Sequence, residues 1–191
     1  MLLGLFCLVL VAVAVMLVWQ QPWCRAQFAS FLQKYCAVPI NQTQAAGQLR
    51  DVSEICAACG LKFWLTEGTA LGAVRDGRII PTDTDMDIGI FDRETLDACV
   101  LPQMQSRGFM VWKRKPHMVS VVRDFLRLDI MIFRPGGYCV DMPCSEMLPY
   151  LEHMQQVEMY GLRFWCVGED YLERVYGTDW RTPKHQWKPG T

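Results

Sequence analysis

The sequence predicts an α/β (α+β) protein, a small mixed sheet flanked by helices and preceded by an N-terminal transmembrane helix. Three observations carry this reading. Met1 to Trp19 is almost wholly apolar and contains no charged residue. Over residues 45–59, Leu49, Val52, Ile55, Cys56 and Cys59 recur at helical spacing. Over residues 125–133, Leu126, Leu128, Ile130 and Ile132 alternate with Arg127, Asp129 and Met131, the period of a strand. Helical and extended patterns interleave along one chain of 191 residues, enough for one domain with a real core.

The apolar N-terminus matches the roughly 20 residues a helix needs to cross a bilayer. It lacks the basic start of a secretory signal, and Ala12-Val13-Ala14, which imitates a cleavage site, sits inside the apolar run. The expectation is an uncleaved signal-anchor over residues 1–19, with a cleaved signal as the competing reading. Arg25 and Lys34 follow the span, which by the positive-inside rule alone would favour a cytosolic C-terminal side. Two features point the other way. Eight of the nine cysteines lie beyond the span, an even number suited to an oxidising compartment, and Asn41-Gln42-Thr43 is a glycosylation sequon. A single-pass protein of the secretory pathway with a lumenal domain is expected. Cys56-x-x-Cys59 and Cys139-x4-Cys144 invite a zinc reading, but the second spacing matches a zinc ribbon poorly, so disulfides or packed thiols are preferred. A net charge of −1 excludes a nucleic-acid binder that works by bulk electrostatics.

The remaining elements follow in order. Residues 20–44, with Pro22 and Pro39 as breakers, read as a juxtamembrane stem. Gly60 ends the helix over 45–59. A strand over 62–66, a short helix over 69–75 and a strand over 88–91 are predicted next. Asp92 can cap a helix running to about Arg107. A hairpin around Pro116-His117, the alternating strand over 125–133, a turn at Gly136-Gly137, a hairpin over 156–167 and a helix over 169–176 complete the pattern.

The chemistry concentrates in residues 64–90, WLTEGTALGAVRDGRIIPTDTDMDIGI. Asp83, Asp85 and Asp87 occupy alternate positions, so in an extended strand they share a face. Ionised carboxylates on one face repel and need a cation or a proton between them. Asp129 lies in an apolar strand, on the face opposite its leucines and isoleucines, and also needs compensation. If the two strands are neighbours, the carboxylates converge as a site for one or two Mg²⁺ (or Mn²⁺) ions. The Gly68-Thr69 helix start could accept a phosphate, with Arg127 and Arg75 as possible phosphate cations. Arg75 would also suit a helix C-terminus, and Asp129 with Arg127 would also suit a surface edge.

Gly68-Thr69-Ala70-Leu71-Gly72-Ala73-Val74-Arg75, followed by Ile80-Pro81-x-Asp83-x-Asp85-Met86-Asp87-Ile88, resembles the core motif of the LicD family. That family includes bacterial phosphocholine transferases and, in animals, fukutin and fukutin-related protein. Tyr176-Gly177-Thr178-Asp179-Trp180-Arg181-Thr182-Pro183 resembles its closing element. The resemblance covers roughly residues 48–185. It implies a nucleotidyltransferase-like fold over residues 45–191, with Gly68 and Thr69 at the phosphate and Asp85, Asp87 and Asp129 catalytic and metal-binding. Asp83 is implied as an additional ligand, with Arg75 and Arg127 on phosphate. It implies a membrane-anchored enzyme, of the Golgi by this resemblance. The enzyme would move a phospho-alditol or phosphocholine group from a CDP-linked donor, such as CDP-ribitol or CDP-choline, to a glycan acceptor, releasing CMP. Tyr176 and Trp180 would either stack on a base or pack in the core.

Other readings compete. Asp83, Asp85, Asp87, Ile90 and Glu94 fit EF-hand loop positions, but Ile88 stands where that loop needs glycine, and Pro81 spoils the incoming helix. A catalytically silent binding or chaperone protein of the family is a second alternative. A nucleotidyltransferase releasing pyrophosphate is a third.

Overall fold

The computed structural model describes residues 40–134, 138–139 and 142–183. The expected membrane segment 1–19, most of the stem and the Gly136-Gly137 turn lie outside these residues. Among the described residues no helix is long and apolar enough to cross a membrane.

Helix α1, Gln42–Cys59, starts three residues before its predicted beginning because Asn41 caps it, accepting from the Gln44 N–H at 3.1 Å. Its apolar stripe of Leu49, Val52, Ile55 and Cys56 is buried. Then come β1, Phe63–Leu65, and α2, Glu67–Asp76. Strand β2 spans Asp85–Ile90, so Asp85 and Asp87 are part of it and Asp83 belongs to the turn before it.

Asp92 caps the next helix as expected, accepting from Thr95 N–H at 2.9 Å. That helix is interrupted, however. It runs as α3, Arg93–Thr95, a π-helical turn, Leu96–Val100, and α4, Leu101–Ser106. The physical reason is Pro102 in the first turn of α4, which lacks an N–H and would clash with the carbonyl four residues back. The wider turn relieves this, and Leu101 N–H reaches Leu96 O instead.

Strands β3, Met110–Lys115, and β4, Met118–Arg123, form the expected hairpin, and β5 spans Leu126–Ile132. A short pair, β6 (Tyr138–Cys139) and β7 (Met142–Pro143), precedes α5, Cys144–Met147, and a 3-10 turn over Leu148–His153. The second expected hairpin is β8, Gln155–Met159, with β9, Leu162–Cys166, and α6, Glu169–Tyr176, follows.

Seven strands form one mixed sheet in the order β3-β4-β5-β2-β1-β9-β8. β2 runs parallel to β5 and β1 parallel to β9, and the other pairs are antiparallel. The face bearing Met86, Ile88 and Ile90 of β2 and Leu128, Ile130 and Ile132 of β5 is buried core. Each such side chain contributes about 1.5–3 kcal/mol by leaving water. The opposite face of the same two strands carries Asp85, Asp87, Arg127 and Asp129.

Gly89 lies on that second face, paired with Trp64 of β1; a Cβ there would stand 2.3 Å from the Trp64 ring. Trp64 also packs on Phe91 and Phe133, with ring centroids 4.7 and 5.1 Å away. This aromatic cluster closes one end of the polar row. Cys59 at the end of α1 is joined by a disulfide to Cys99 in the π-helical turn. Cys59 is therefore committed to Cys99, and the zinc reading of Cys56-x-x-Cys59 does not hold; Cys56 is a buried free thiol.

Candidate active site

Parallel pairing of β2 and β5 sets Asp87 in register with Asp129, and Asp85 in register with Arg127. Asp85, Asp87 and Asp129 each offer a carboxylate oxygen, and these lie within 4.8 Å of one another. At an effective dielectric of about 20, two charges at that separation repel by roughly 3 kcal/mol. The cluster is only partly offset from within. Arg127 forms an ion pair with Asp85, and its Nε lies 3.4 Å from Asp129 Oδ1. That second approach is electrostatic only, because Arg127 Nε and Asp129 Oδ1 are both buried without a hydrogen bond.

Burial pushes the Asp87 carboxyl well above the usual carboxylate range, helped by the neighbouring charges of Glu67, Asp129 and Asp83. Asp83 is raised to about 6, again chiefly by burial, with Arg75 opposing. Proton or cation, something must neutralise this pocket. The donor set suits a hard divalent ion. All three ligands are carboxylate oxygens, they converge, and Asp129 also holds a buried oxygen, Oδ1, that accepts no hydrogen bond.

The helix start beside them is fixed by Thr69, whose Oγ1 accepts the Asp87 N–H at 2.8 Å. Gly68 allows Asp83 to approach; a Cβ at residue 68 would stand 2.6 Å from Asp83 Oδ2. The N-cap, Thr66, makes no side-chain capping bond to the α2 N–H groups. Asp83 thus lies against the Gly68 turn, outside the three-carboxylate cluster.

Arg75, expected near phosphate, sits in the last turn of α2. It grips Asp76 through Nε and a terminal nitrogen, at 3.0 and 2.7 Å, while acting electrostatically on Asp83. Tyr176 and Trp180 are 9% and 3% exposed and belong to the core, which decides between the two roles open to them.

Glu67 was not legible as a site residue. It takes a left-handed backbone conformation, φ 48°, and accepts a hydrogen bond from the buried Tyr171 hydroxyl. Its place immediately before the Gly-Thr pair was the only available signal. Ser120 was also missed, a single hydroxyl between Val119 and Val121 that pairs with Asp129 across β4 and β5.

The fold is a seven-stranded mixed sheet flanked by helices, with a carboxylate cluster on one face of β2 and β5. The antibiotic-resistance factor ANT(2'')-Ia aligns with a TM-score of 0.53 at 16% identity, over 78% of each chain. At that identity the likeness speaks for the fold alone.

Residues 60–142 match the family model described as LicD/FKTN/FKRP, nucleotidyltransferase domain. The matched stretch includes the Gly-Thr turn and Asp83, Asp85, Asp87 and Asp129. Human FKRP, named ribitol 5-phosphate transferase, is 48% identical over 86 residues, covering 42% of this chain and 16% of that protein. Mouse FKTN, named ribitol-5-phosphate transferase, is 27% identical over 192 residues, covering 86% of this chain and 40% of that protein. The chain spans less than half the length of the curated relatives it matches.

Proposed function

We propose that this chain is a metal-dependent transferase that moves a phospho-alditol or phosphocholine group from a CDP-linked donor to a glycan, releasing CMP. The observation that carries the reading is the convergence of Asp85, Asp87 and Asp129 beside a Gly-Thr helix start, within the LicD-type stretch. Two relatives named for ribitol-5-phosphate transfer favour an alditol over choline.

Asp85, Asp87 and Asp129 would hold Mg²⁺ or Mn²⁺, which when bound neutralises the diphosphate and stabilises the departing CMP. The chain's own residues do the rest. The N–H groups of Gly68 and Thr69 face a donor phosphate at the positive end of α2. Thr69 keeps that turn in register with β2 through its bond to the Asp87 backbone. Arg127, which pairs with Asp85 and lies beside Asp129, would pair with the phosphate in flight. Asp129 orients the acceptor hydroxyl and takes its proton. The hydroxyl oxygen bonds to the phosphorus that carries the alditol, and the bond from that phosphorus to the bridging oxygen breaks, leaving CMP.

The Cys59–Cys99 disulfide and the exposed Asn41 of the sequon support a lumenal position in the secretory pathway, with residues 1–19 as anchor and the Golgi as the organelle.

A second reading has one observation in its favour. ANT(2'')-Ia has been solved with adenylyl-2''-tobramycin, and that neighbour aligns at a TM-score of 0.53. Transfer of the nucleoside monophosphate with release of pyrophosphate is the corresponding reaction. Product analysis separates the two. With Mg²⁺, a glycan acceptor and either CDP-ribitol or CTP as donor, free CMP and a phosphodiester-linked ribitol from CDP-ribitol support the proposal; CMP attached to the acceptor, with pyrophosphate leaving from CTP or ribitol phosphate from CDP-ribitol, sinks it.

A further inference from the structure

Ser120 is completely buried, at 0% exposure, and its Oγ has no hydrogen-bond partner. It stands directly opposite Asp129 in the antiparallel β4–β5 pair. Asp129 Oδ1 is likewise buried without a hydrogen bond. Ser120 Oγ, which makes no hydrogen bond, therefore faces the residue whose Oδ1 accepts none and has the Arg127 Nε, 3.4 Å away, as its ion-pair neighbour. Side chains so paired share one face, with Cβ atoms about 4.5–5.5 Å apart. A serine hydroxyl can turn to donate across that gap, and a carboxylate can only accept. On its own face of β4 Ser120 lies between Met118 and Val122, so a hydroxyl here departs from apolar neighbours.

The neighbouring strand supports the same point. The β3–β4 register shifts between Val111 and Lys113, at the level where Lys113 pairs with Ser120. This bulge leaves Trp112 with its ring 5.8 Å from the Arg127 guanidinium, the same group that reaches Asp85 and Asp129.

We infer that Ser120 is a positioning residue: its hydroxyl, unbonded in this structure, turns to donate to Asp129 Oδ1 when a cation draws the other carboxylate oxygen toward Asp85 and Asp87. This rests on the reading of that cluster as a divalent-cation site. Ser120 itself touches neither cation nor substrate. Support of this kind behind a metal-ligating carboxylate is typically worth 10-fold or more in affinity.

The test is an Mn²⁺ titration of the full chain followed by electron paramagnetic resonance at one fixed pH, on the wild type, S120A and S120T. S120A should bind Mn²⁺ about 10-fold more weakly, with a melting temperature no lower than wild type. S120T, which restores the hydroxyl, should bind within about 2-fold of wild type, well inside that loss. Wild-type Mn²⁺ affinity in S120A, or S120T as weak as S120A, overturns the role of Ser120 and leaves the cation site standing. A wild type that binds no Mn²⁺ overturns the cation site and this inference with it. Should S120A fail to fold, S120C, nearly isosteric and a weaker donor, is titrated in its place, and wild-type affinity there overturns the assignment.

Discussion

Asp87 and Asp129 stand in register on adjacent parallel strands, their carboxylates sharing one face of the sheet. Met86, Ile88, Leu128 and Ile130 pin the other face into the core. A one-residue slip of either strand would move its aspartate into that core and its apolar residues out, so burial of the aliphatic set enforces the register of the charged one. This arrangement sets the first expectation. Asp87→Asn should cut transfer by at least about 100-fold, the scale of losing an electrostatic group at a reacting centre. The metal-free fold should be no less stable, because one repelling charge is gone. Turnover and thermal melting on the same preparation check this; a metal-dependent rate like wild type would refute it.

The pH dependence has a definite sign. Asp83 is raised from 3.8 to about 6 in the fold, and Asp87 is raised well above the usual carboxylate range. A carboxyl with a raised folded pKa favours the fold when protonated. Its stabilisation is complete below about pH 4 and is lost as pH rises through about 6 for Asp83, and Asp87, also raised, adds a loss of the same sign. The metal-free protein should therefore melt at a falling temperature between pH 4 and 7. A divalent cation binds the deprotonated forms, so Mn²⁺ should restore stability most at the upper end. Melting curves across that range, with and without Mn²⁺, would reveal an opposite slope if the carboxylates were already fully compensated.

The Cys59–Cys99 bridge closes a loop with a sequence separation of 40. Chain entropy assigns such a loop about 4 kcal/mol. Cys99→Ser should lower stability by a large part of that, and a reducing agent should do the same to the wild type only. Denaturant unfolding measures both; no difference between oxidised and reduced wild type would remove the bridge from the account.

Two glycines separate fold from site. Gly89→Ala puts a methyl group 2.3 Å from the Trp64 ring, so overpacking should cost roughly 1–3 kcal/mol of stability. At Gly68 the methyl group meets the Asp83 carboxylate at 2.6 Å, and that side chain can swing away. Gly68→Ala should retain most stability and lose donor binding. Parallel melting and donor-titration curves would show the two effects fall on different quantities; equal loss of stability in both would contradict this division.

Much of the layout was legible because strand and helix periods differ. Alternation in β5 put Asp129 and Arg127 on the face away from the leucines, and the structure agrees. The Asp92 cap and both hairpins were local signals of the same kind. Strand adjacency is a long-range property, so the pairing of β2 with β5 was conditional until seen. Arg127 was read as a phosphate ligand, yet its first partner is Asp85, because register places the two side by side. Cysteine pairing was hidden by combinatorics, since eight cysteines allow 105 connectivities. Glu67 and Ser120 gave no periodic signal: one hydroxyl in a valine run and one acid at a helix start are common without any role.

The most direct test of the central claim is CMP release from CDP-ribitol by the purified full chain with a glycan acceptor, with Mg²⁺ and after chelation. The account predicts CMP and a ribitol phosphodiester with Mg²⁺, loss of both on chelation, and loss of both in Asp129→Asn with the metal present. Undiminished transfer after chelation, or in Asp129→Asn, would contradict it.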